Sequence, residues 1–194
     1  MNADVRRFSL SDGMILIAGL AAGMGLVKIT NSDISPGQLG EAILHPKGGW
    51  SLWHAFGLTL ELGAIFVIPF VAAWTPACLL VQLSNSRWRR LRRQPGFVAC
   101  LIGTAVSIVT LSVASTCIWF SLWEARGPSA GYIQAHLLGG ILAGSGILWG
   151  WVTMWLCGVC RPRPTWSDRL GRLTGAVWIA LGVISAVCIF LAIR

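Results

Sequence analysis

Five long apolar runs, separated by short polar or basic stretches, organise the chain; they lie at about 14–29, 52–83, 97–123, 132–157 and 173–193. A helix crosses ~30 Å of hydrocarbon with about 20 mostly apolar residues. The pattern therefore predicts an all-α integral membrane bundle of about five transmembrane helices, forming one domain over 1–194. Ser9 and Asp12, three apart just before the first run, read as a helix N-terminus. The second run exceeds one bilayer crossing, and Pro69 and Pro76 inside it each remove a backbone donor, so it is expected to bend. The outer loop 30–51 is the long connection; it carries turn chemistry at Ser35-Pro36-Gly37 and Pro46-Lys47-Gly48-Gly49, with a short surface helix conceivable over Gln38 to Leu44. The loops 84–96 and 158–172 are short and basic. Arg6 and Arg7 ahead of an apolar stretch also suit a secretory leader. The run is long for a leader core, however, and Lys28-Ile29-Thr30-Asn31 lacks small residues at cleavage spacing, so the first run is read as a retained span.

Composition agrees with this pattern. Hydrophobic residues make up 55% of the chain and charged ones 11%, less than half the share of about 25% usual in soluble domains. A soluble globular domain, a disordered chain and a nucleic-acid-binding module are excluded. The net charge of +8 changes the picture through its placement. With five spans, Arg6 and Arg7, the cluster Arg87, Arg89, Arg90, Arg92 and Arg93, and the group Arg161, Arg163, Arg169 and Arg172 share one face. Only Lys28, Lys47, Arg126 and Arg194 lie on the other. Basic loops resist translocation, so the N-terminus is expected in the cytoplasm and the C-terminus outside. Trp50, Trp53, Trp119 and Trp123 then mark the outer boundary, and Trp88, Trp155 and Trp166 the inner one.

The run from Arg7 to Ala18, RFSLSDGMILIA, resembles the opening of many bacterial multi-spanning inner-membrane proteins of unassigned activity. The likeness covers a dozen residues. It implies a bacterial inner (cytoplasmic) membrane and carries no function.

Candidate chemistry is sparse. Glu61 is the one carboxylate placed well inside a span, near mid-bilayer, with His54 seven residues earlier on the same helix face. It reads as a neutral carboxyl bonded to Thr104, Ser107 or Thr110, or as an ion or proton relay. His54 and His136 sit near the outer starts of the second and fourth spans. Paired imidazoles at matched depth suit a b-type haem, with Gly139 and Gly140 leaving room for a flat macrocycle. The resemblance to cytochrome b subunits of respiratory complexes extends no further than that. Cys157-Gly158-Val159-Cys160 has redox or half-zinc-site spacing, and Cys78 and Cys100 fall near the same membrane face. Buried cysteine is also an ordinary small packing residue, and no metal site is assigned. Gly140 with Gly144, and Gly146 with Gly150, have the small-xxx-small spacing that lets helix backbones approach, inside the bundle or in another chain. The Arg87–Arg93 cluster acts as topology determinant or as a site for anionic lipid headgroups. The loops are too small for a soluble catalytic domain. The expectation is a non-enzymatic accessory or assembly subunit of a membrane complex, its partners the lipid bilayer and other membrane subunits or copies of itself. A haem-carrying electron-transfer subunit using His54 and His136, and a small carrier using Glu61, are the alternatives.

Overall fold

The computed structural model describes residues 9–30, 52–85, 93–123, 129–159 and 165–193. Among them the chain forms five helices and no strand: α1 (Leu10–Thr30), α2 (Leu52–Asn85), α3 (Pro95–Trp123), α4 (Ser129–Leu156) and α5 (Trp166–Ile193). Each is long and apolar enough to cross a membrane, so the protein is a multi-pass membrane protein with an all-α fold. The outer-loop readings, the proposed surface helix and the cluster Arg87, Arg89, Arg90 and Arg92 lie outside the described residues; Arg93 is exposed at the edge of α3.

Local chemistry explains the helix ends. At α1 the Asp12 amide donates to Ser9 Oγ (3.2 Å) while the Ser9 amide donates to Asp12 Oδ2 (3.0 Å), a reciprocal capping box. α3 begins with Pro95, whose missing N–H would have been unpaired there in any case. α4 stops at Gly158, which adopts the left-handed φ of 63°. Its amide donates to Trp155 O (3.1 Å), and that of Val159 donates to Met154 O (3.1 Å), closing the last turn. The Cys157-Gly158 sequence, read as part of a redox motif, is thus the helix terminator. α5 begins at Thr165, whose Oγ1 accepts from the Asp168 amide (3.2 Å).

α2 remains one continuous helix through both prolines. Its 34 residues extend about 51 Å at ~1.5 Å per residue, well beyond the hydrocarbon thickness. Within it, Phe66–Ser84 alone is long and apolar enough to cross a membrane.

α2 to α5 pack together around a core that includes Ala64, Ile68, Ala99, Ala143, Ile147 and Trp178. α1 lies against α2, with Gly19 on Ala77 and Gly23 on Phe70. Its opposite face, including Met14, Ile17 and Met24, is exposed. In a bilayer that face meets lipid.

Candidate functional site

Two levels of the bundle hold polar side chains. The upper level surrounds His136, which is buried at 1% exposure. Here Ile68 and Ala72 of α2, Ser107 and Thr110 of α3, His136 of α4 and Trp178 of α5 enclose a cavity of about 10 Å³. That is room for roughly one water molecule. The glycines expected to leave space for a macrocycle are covered. A side chain at Gly139 would run into Thr110, and one at Gly140 would meet Ser185 Oγ at 2.8 Å and Ile68 at 3.3 Å.

His54 does not share this level. His136 stands beside Ile68 and Ala72, whereas position 54 is fourteen residues before Ile68 in the same unbroken helix, about 21 Å along its axis. Two axial histidines must reach one iron, so a haem held by His54 and His136 does not fit this arrangement. The matched depth expected from sequence counted from the starts of the two runs, but the packing of α4 beside Ile68 and Ala72 sets the level of His136. Position 61 lies seven residues before Ile68, about 10 Å along α2 from the level of His136. Its register, three before Ala64 and seven before Ile68, keeps it on the core-facing stripe of α2. The side chains of His54 and Glu61 lie outside the described residues. Of Glu61's expected partners, Ser107 donates to Gly103 O (2.7 Å) and Thr110 covers Gly139.

The lower level joins all four core helices where α2 and α4 end and α3 and α5 begin. Asp168 is its centre, with a side chain 2% exposed. One carboxylate oxygen accepts from the Gly96 amide at the start of α3 (2.9 Å). The other accepts from Arg172 Nε (2.9 Å) and lies 2.8 Å from a second guanidinium nitrogen. A negative charge is well placed here, since the first amides of α3 and α5 have no intrahelical acceptors and both helix dipoles are positive at this end. Around it, Trp151 Nε1 of α4 donates to Pro95 O (3.0 Å), and Gln82 Nε2 of α2 donates to Ser167 O (3.1 Å). Gly171 and Gly96 bring α5 and α3 into backbone contact.

Just inside this knot, Cys78 of α2 and Cys100 of α3 are fully buried free thiols. Cys78 Sγ is 3.7 Å from Thr174 Oγ1, and Gln82 Nε2 donates to Cys100 Sγ at 3.5 Å. Gln82 Oε1 is buried without a partner. Cys157 is exposed and does not join this pair; the described residues contain no cluster of three or more His, Cys, Asp or Glu able to hold a metal ion. Cys160 lies outside the described residues. Further along, Trp178 Nε1 donates to Thr75 Oγ1 (2.9 Å), and the Thr75 hydroxyl donates to Val71 O (2.6 Å).

The small-xxx-small glycines face neighbours within the chain. A side chain at Gly144 would meet Trp178 O at 2.8 Å and Gly182 Cα at 3.2 Å, so α4 and α5 touch backbone to backbone. Gly146 and Gly150 face Ile102 and Val98 of α3.

Asp168 escaped the sequence reading, although Thr165-Trp166-Ser167-Asp168 has the same spacing as Ser9 to Asp12. What no local signal carried was its bond to Gly96, 72 residues away. No protein family, curated protein or solved structure matches the chain.

Proposed function

We propose that this chain is a non-enzymatic accessory or assembly subunit of a complex in a bacterial inner membrane, with its N-terminus in the cytoplasm and its C-terminus outside. The observation that carries this reading is the closed interior around His136. Where a cofactor or substrate would have to enter between the helices, Thr110, Ser185 and the α5 backbone cover the α4 glycines, and the cavity admits about one water. Close packing at this level favours a scaffold over a conduit. The short loops add no room for soluble chemistry. The glycine faces of α4, covered within the chain, are not the docking surface in this reading.

Purification from native membranes in a mild detergent tests the proposal. The expected result is another membrane polypeptide in fixed stoichiometry, recovered reciprocally when that polypeptide is tagged, and no Soret band. A Soret band that shifts on reduction would replace the proposal with a haem carrier, whose ligands would have to differ from the His54–His136 pair. A homogeneous single chain whose proton or ion flux in proteoliposomes disappears in Glu61→Gln would replace it with a carrier.

A further inference from the structure

We draw no further inference here: the strongest candidate, the stripe of small residues Ala18, Ala21, Ala22 and Gly25 along the exposed side of α1, carries nothing because nothing in the structure shows what covers it.

Discussion

At the scale of single residues, Asp168 has the strongest hold on the structure. Its carboxylate accepts from the first turn of α3 and from Arg172, and it is almost completely enclosed. Removing a buried charged acceptor leaves its donors without partners, and hydrogen bonds to charged groups contribute about 1.5–3 kcal/mol. Asp168→Ala is therefore expected to destabilise the protein by about 2–3 kcal/mol, read as a lower melting temperature in detergent. Arg172→Ala should cost under about 1 kcal/mol, because the guanidinium is 38% exposed and solvent replaces it. Equal losses for the two variants would show that the ion pair, and not the bond to Gly96, gives Asp168 its weight. Trp178 and Thr75 make a second specific contact across α5 and α2. A double-mutant cycle of Trp178→Phe and Thr75→Val should return a coupling of about 0.6 kcal/mol, the average for interhelical bonds in membranes, and no more than about 1.7 kcal/mol. A coupling of zero would mean that the indole contributes by packing alone.

At the scale of the helices, glycines separate into two kinds that look alike along the chain. A methyl added at Gly144 would lie 2.8 Å from Trp178 O, whereas one added at Gly25 would meet nothing within 4 Å. Gly144→Ala should cost about 1–3 kcal/mol through overpacking against α5. Gly25→Ala should stabilise α1 by roughly 0.5–1 kcal/mol, since alanine loses less backbone freedom in a helix. Thermal unfolding of the two variants side by side checks the contrast; similar losses would mean that α4 and α5 do not approach as closely as described. The start of α1 was legible because Ser9 precedes Asp12 by three, whereas the same spacing at Thr165 and Asp168 went unread and the fifth run was begun at 173 instead of 166. Depth was not legible. The outer starts of the second and fourth runs gave His54 and His136 the same apparent level, but His136 packs beside Ile68, about four turns along α2 from position 54.

At the scale of the whole molecule, the distribution of basic residues makes a claim about orientation that the helices alone do not. Eleven basic residues on one face against four on the other predict that the Asp168 knot faces the cytoplasm. A reporter fused after Arg194 should be active outside the cytoplasm, and a cysteine introduced at position 90 should react only with reagents that cross the membrane. A cytoplasmic signal from the first, or ready labelling of the second by an impermeant reagent, would reverse the orientation.

Five spans, their approximate limits and the expected side of each loop follow from the chain alone, since backbone groups in lipid must pair within their own helix and apolar length maps directly onto thickness. Which side chains meet is another matter. The approach of Asp168 to Gly96, of Gln82 to Cys100 and of Gly144 to Gly182 depends on how the helices are rotated and shifted against one another. In lipid no hydrophobic gain sets that register; close packing of small residues and a few interhelical hydrogen bonds do, and both exist only once the helices have come together.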